Sequence, residues 1–219
     1  MIALSRLREP VNGLTHLLGF VLAIAGHTVL VTLAAQHATS RHVVAFAVYG
    51  ATLMGLYLAS SLYHLLPLAE VGVRRLKRLD HIMVFMLIAG TYTPICLLAL
   101  GGAWGWSLFG VVWGLAVAGT AFKLCWLGAP RRLVTGIYIA MGWVVLVAIV
   151  PLVGALPPGG LLWLALGGLC YTGGAVIYAR RRPDPWPGRF GFHEIWHLFV
   201  LAGSACHFWM MLGYVLPLG

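Results

Sequence analysis

Charge is what this 219-residue chain has least of. Only 9% of its residues are Asp, Glu, Lys or Arg, while 61% are hydrophobic. A soluble domain carries about 25% charged residues, so most of this chain belongs in a bilayer and not in water. Acid is scarcer still, at five residues: Glu9, Glu70, Asp80, Asp184 and Glu194. Period-2 alternation of apolar and polar residues is missing, which argues against a β-barrel. The four cysteines (Cys96, Cys125, Cys170, Cys206) form no CxxC and fall in four different apolar runs, as small buried side chains do. Soluble domains, long linkers, internal repeats and low-complexity tracts are also lacking.

What the chain does have is seven apolar runs, each near the roughly 20 residues a helix needs to cross a bilayer. They read as Val11–Ala35, Val43–Leu66, Leu79–Leu100, Trp104–Leu127, Leu133–Val153, Leu161–Ala179 and Phe192–Leu216. The expected fold is a single all-α domain over residues 1–219, a seven-transmembrane-helix bundle. The first run is too long for a signal-peptide core and lacks a small-residue cleavage site, so it counts as a span.

Basic residues predict the orientation. Arg6 and Arg8 precede the first run, and Arg74, Arg75, Lys77 and Arg78 lie between the second and third. Lys123, Arg131 and Arg132 flank the junction of the fourth and fifth; Arg180, Arg181, Arg182 and Arg189 lie between the sixth and seventh. Of the 14 Lys and Arg, only Arg41 falls at the other end. The positive-inside rule then puts the amino terminus in the cytosol and the carboxyl terminus outside. The net charge of +9 reports that topology and the anionic inner leaflet; it does not point to nucleic acid. Arg74–Arg78 reads as a topogenic, lipid-facing loop, and Gly110, Gly114 and Ala118 as a small-residue stripe for close helix packing.

Ionisable groups inside spans are costly and point to function. His193-Glu194-Ile195-Trp196-His197 places two imidazoles on one helical face, within reach of one metal ion. The same string fits H-E-x-x-H, in which the glutamate serves as a protease base. Topology brings Ser60 and His64 at the end of the second span, and Asp80 at the start of the third, to the same depth. Glu9, Asn12 and His16 share one face at i, i+3 and i+7. Zinc suits three imidazoles, here His64, His193 and His197, with an open position for water. Such a centre acidifies that water and polarises a carbonyl. Asp80 is then the candidate base or water-orienting group, and Ser60, one turn before His64, a candidate hydrogen-bond donor. His27, His81 and His207 read as helix–helix hydrogen bonds, and His37 and His42 as solvated loop residues. Glu194 points about 100° from the histidine face and reads as a helix-start acid. His16 reads as a polar contact in the cavity and not as a ligand.

The motifs Glu9-Pro10-Val11-Asn12-Gly13-Leu14-Thr15-His16, Ser60-Ser61-Leu62-Tyr63-His64, Arg78-Leu79-Asp80-His81, Gly90-Thr91-Tyr92-Thr93-Pro94, the His193–His197 pair and Ser204-Ala205-Cys206-His207-Phe208 together resemble the hemolysin III family. That family lies within the progestin and adiponectin receptor superfamily, and the likeness covers nearly the whole chain. It implies seven helices and zinc in the inner-leaflet half, on the histidines matching His64, His193 and His197. Asp80 and Ser60 match residues beside the metal in the receptor branch. Those receptors and the alkaline ceramidases look like lipid amide hydrolases, while bacterial members are linked to membrane homeostasis. The short segment before the first span departs from the receptors, so no receptor-type extracellular ligand carries over. In that pattern Glu194 is not a motif position.

Four functions are thus expected in order. The first is an inner-membrane zinc hydrolase of lipid amides or esters in a bacterium. The second is a non-catalytic protein clamped by zinc that senses or adjusts the bilayer. A cytolysin comes third and an H-E-x-x-H intramembrane protease fourth. Membrane lipids and zinc are the expected partners; substrate identity and oligomeric state are not legible in the sequence.

Overall fold

A computed structural model describes residues 7–218, so Arg6 lies outside the described residues. Among the described residues, seven helices are long and apolar enough to cross a membrane: α1 Pro10–His37, α2 Ser40–Leu65, α3 Glu70–Leu100, α4 Gly102–Cys125, α5 Arg131–Ala155, α6 Pro158–Arg180 and α7 Phe192–Leu218. The chain is therefore an all-α multi-pass membrane protein. Its helices pack in chain order from α1 to α4, α6 packs on α7, and α7 returns to α1. Large apolar side chains such as Leu18, Val21, Val117, Val147 and Val150 face outward, as lipid-facing positions do. The buried core is built on Phe46, Tyr49, Leu53, Phe85, Val112 and Met210.

Each of the seven expected runs is a helix, but α3 begins at Glu70, nine positions before Leu79. Arg74–Arg78 is therefore helical and not a loop. The segment after Pro67 contains strong helix formers with no further proline, and Glu70 supports it with an i,i+4 ion pair to Arg74 at 3.2 Å. Two prolines disturb the spans. After Pro94, α3 widens into a π turn over Ile95–Leu100. Ahead of Pro151, α5 tightens to a 3₁₀ stretch over Trp143–Ala148. Proline offers no N–H and crowds the preceding turn, so backbone groups need other partners in lipid. Tyr92 provides them: its hydroxyl donates to the Gly142 carbonyl at 2.6 Å and accepts from the Val145 N–H at 2.8 Å.

Close helix contact occurs at other glycines than those expected. Gly110 and Gly114 have open space where a Cβ would stand, and both lie exposed with Ala118 on the outer face of α4. The stripe is not an internal packing seam. Gly19, Gly119 and Gly203 do that work, against Tyr57, Phe85 and Tyr171 respectively. His42 is also corrected: it is buried in the first turn of α2, where its Nδ1 meets the Thr39 hydroxyl at 2.8 Å. His37 is exposed. All four cysteines are free, and Cys96 alone is fully buried.

Candidate metal centre

α2 ends, and α7 begins, at the end of the bundle where the basic residues cluster. There His64 from α2 meets His193 and His197 from α7, with one ligand atom of each within 4.8 Å of the others. His64 and His197 are almost fully buried. The three rings stand edge to face at centroid separations near 5.0 Å. Three protein nitrogens around one point match the ligand count of an open zinc site.

Ring tautomers follow from the partners on the far side. His64 Nδ1 lies 2.6 Å from Glu9 Oε2, and His197 Nδ1 lies 3.1 Å from the Asn12 carbonyl oxygen. The hydrogen bond from His64 pulls the Glu9 carboxyl down from 4.5 to about 2, and Arg8 adds to this. Glu9 is thus ionised at neutral pH and only accepts, as does a backbone carbonyl. Both Nδ1 atoms must donate, which leaves each Nε2 with its lone pair free for a metal. Carboxylate–histidine pairs of this sort hold ligands in their productive orientation.

Glu9 is fixed in turn by the chain around it. Its N–H donates to the His64 carbonyl at 2.9 Å, so backbone and side chain both hold the last turn of α2. Arg8 lies over the Tyr63 ring at 4.3 Å and donates to the Tyr63 carbonyl at 2.6 Å. The line Glu9, Asn12, His16 was the available sequence signal, but it does not reveal that Glu9 turns to His64. That contact joins residues 55 positions apart.

Asn12 ties α1 to α7 through a 2.8 Å bond from its Nδ2 to Glu194 Oε1. The other Glu194 oxygen accepts the Gly191 N–H at 2.8 Å. Both oxygens are occupied in capping and bracing α7, so Glu194 is the helix-start acid the sequence suggested. Each oxygen already accepts one hydrogen bond that holds the start of α7.

Asp80 is not part of the three-histidine cluster, yet it and Ser60 line the cavity that His193 and His197 also line. His16 lines it too. Its ring stacks on His197 at 3.6 Å, and both its nitrogens lack hydrogen-bond partners. The cavity holds about 780 Å³. On α3 its wall repeats at helical spacing from Lys77 through Asp80, Val84, Leu87 and Thr91 to Ile95. At 1.5 Å per residue that is about 27 Å, close to the thickness of a hydrocarbon core. Farther in, Tyr57 and Tyr171 share the Ser204 hydroxyl at 2.8 and 2.9 Å. Of the three lone histidines, only His207 makes the expected helix–helix bond, to the Leu164 carbonyl at 3.4 Å. His81 lines the cavity, and His27 Nδ1 lies unpaired beside Gly50.

Proteins similar to this chain in sequence are bacterial and eukaryotic. Residues 4–208 match the family described as Haemolysin-III related. Hemolysin-3 of Bacillus cereus is 41% identical over 95% of this chain and 92% of its own length. The Hemolysin-3 homolog of Bacillus subtilis (strain 168) is 36% identical over 94% of this chain and 93% of its own. More distantly, the adiponectin receptor protein of Drosophila melanogaster is 25% identical over 91% of this chain and 49% of its own. With the family match over residues 4–208 and two relatives at 41% and 36% identity matched over more than nine-tenths of their length, the chain belongs to the haemolysin III family of membrane proteins.

Proposed function

We propose that this protein is a zinc-dependent hydrolase of lipid amides or esters, sited near the cytosolic face of a bacterial inner membrane. The carrying observation is that His193, His197, Ser60 and Asp80 line one cavity of acyl-chain length. His64, His193 and His197 would hold the metal. When bound, zinc supplies a Lewis acid for the carbonyl and for water.

The chain's own groups account for the remaining chemistry. The apolar cavity wall takes the acyl chain and brings its carbonyl to the histidine end, which replaces a bimolecular encounter with a positioned one. Asp80 accepts a proton from the attacking water and returns it to the departing amine or alcohol, as a general base and then acid. The Ser60 hydroxyl donates to the oxygen that gains charge. Glu9 and Asn12 hold two rings in register throughout. The orientation follows from the basic residues gathered at this end.

A second reading has an observation of its own. α2 and α7 each pack on α1 and only slightly on each other, so a metal between their histidines would also tie the bundle closed. The test is turnover of a long-chain N-acyl amide and the matching ester by purified zinc-loaded protein. Release of fatty acid that Asp80→Asn abolishes supports the hydrolase. Full zinc content with no release from either substrate overturns it and leaves the clamp.

A further inference from the structure

The basic end of the cavity gathers four cations that make no ion pair among the described residues, although the carboxylates of Asp80 and Glu9 line the same cavity. Lys77 on α3, Lys123 on α4, Arg131 on α5 and Arg181 after α6 all line it. Among the described residues the ion pairs are Arg8–Glu9, His64–Glu9 and Arg74–Glu70. None of the four cavity cations has a carboxylate partner.

Lys123 is the informative one. It is 1% exposed, and its ammonium makes a single long hydrogen bond, 3.5 Å to the Leu127 carbonyl. An ammonium has three N–H donors, and a buried one without a counter-charge is costly. Positive-inside sorting accounts for basic residues at this end. It does not account for burying one in a cavity wall, because a topogenic lysine is served best by headgroup water. Arg131 is held in place rather than left free. Its guanidinium lies 4.4 Å from the Tyr178 ring centroid and 5.2 Å from that of Phe192. The Tyr178 ring stands 5.4 Å from that of His193, so this cation is one aromatic ring from the histidine cluster.

We infer that Lys123, with Lys77, Arg131 and Arg181, forms an oxyanion-binding subsite for a single-chain lipid that bears a carboxylate or phosphate close to its acyl carbonyl. The apolar wall takes the chain and the basic end takes the anion, which sets which end of the lipid meets the histidines. This deepens the lipid-hydrolase reading and rests on it for the lipid's fate, but the binding itself needs no turnover.

The experiment measures affinity of the full chain in phosphatidylcholine nanodiscs for four probes: N-palmitoylglycine, lysophosphatidate, hexadecanol and inorganic phosphate. The expected result is that the two anionic lipids bind at least about tenfold tighter than the alcohol, the factor one charge-assisted hydrogen bond supplies. Lys123→Gln and Arg131→Gln remove that advantage and leave hexadecanol unchanged, while Lys123→Arg keeps it. If Lys123→Gln does not accumulate as folded protein, Lys77→Gln carries the same expectation. Equal affinity for alcohol and anion overturns the proposal, as does an advantage untouched by the glutamine variants. Inorganic phosphate that binds as tightly as lysophosphatidate would identify a soluble anion as the ligand and overturn the lipid. Stripping zinc with a chelator separates the two readings. Retained affinity with lost turnover keeps the subsite, whereas affinity lost with zinc means that the metal holds the anion.

Discussion

Replacing Glu9 by glutamine tests whether the contact on the outer side of His64 tunes the metal centre. The 2.6 Å bond between His64 Nδ1 and Glu9 Oε2 is charge-assisted, and such bonds are roughly twice as strong as neutral ones. Loss of an outer partner of this kind lowers metal affinity about 10- to 100-fold, or about 1.4–2.8 kcal/mol. The Glu9 side chain is 38% exposed, so solvent screens its charge and the lower end of that range applies. Glu9→Gln should therefore weaken zinc binding about tenfold, and Glu9→Ala more. The Glu9 backbone bond to His64 survives both changes, so the helix ends stay in place and the effect isolates the side chain. Competition against a chromophoric chelator reads the affinity directly. The pH dependence has a definite sign. Because the Glu9 carboxyl is lowered from 4.5 to about 2, its contribution is complete above about 4.5 and lost as pH falls towards about 2. The difference between wild type and variant should thus be flat across neutral pH. Zinc affinity within twofold of wild type in both variants would refute the reasoning.

Other expectations follow from single contacts. Glu194→Gln should leave zinc affinity and any turnover within about twofold and cost about 0.5–1.5 kcal/mol of stability, because both carboxylate oxygens cap and brace α7; a collapse of turnover at unchanged stability would restore the protease reading. Asp80→Asn should retain zinc and lower hydrolysis about 10²- to 10⁴-fold, measured as kcat/KM on the long-chain amide. Gly203→Ala places a Cβ 2.9 Å from the Tyr171 ring, so thermal melting in detergent should report a loss of about 1–3 kcal/mol. Ser204→Ala leaves the Tyr57 and Tyr171 hydroxyls without their shared partner and should cost about 1–3 kcal/mol on the same assay.

What could be read from the chain depended on whether the signal was local. Span number and type were legible because apolar runs of bilayer length leave few alternatives. The meeting of His64 with His193 and His197 was legible for a related reason: alternating helix direction sets which residues share a depth. Spacing alone did not give the start of α3, since a basic stretch can be a loop or a helical extension. Gly110 and Gly114 misled because a small-residue stripe marks close packing only if another helix lies against it, and here none of this chain's does. Glu9 was flagged only as part of a polar face. Its partner stands 55 residues away, and such a pairing exists only once the segment before α1 crosses the end of α2. The unpaired lysine in the cavity wall escaped notice because Lys123 and a topogenic lysine look the same in sequence.

The most direct test of the metal centre is zinc content per chain in purified protein, by elemental analysis, for wild type, His64→Ala and His197→Ala. Three histidines with ligand atoms within 4.8 Å of one another predict about one zinc per chain in wild type and near none in either variant. Wild-type protein without zinc, or variants that retain it in full, would contradict the account.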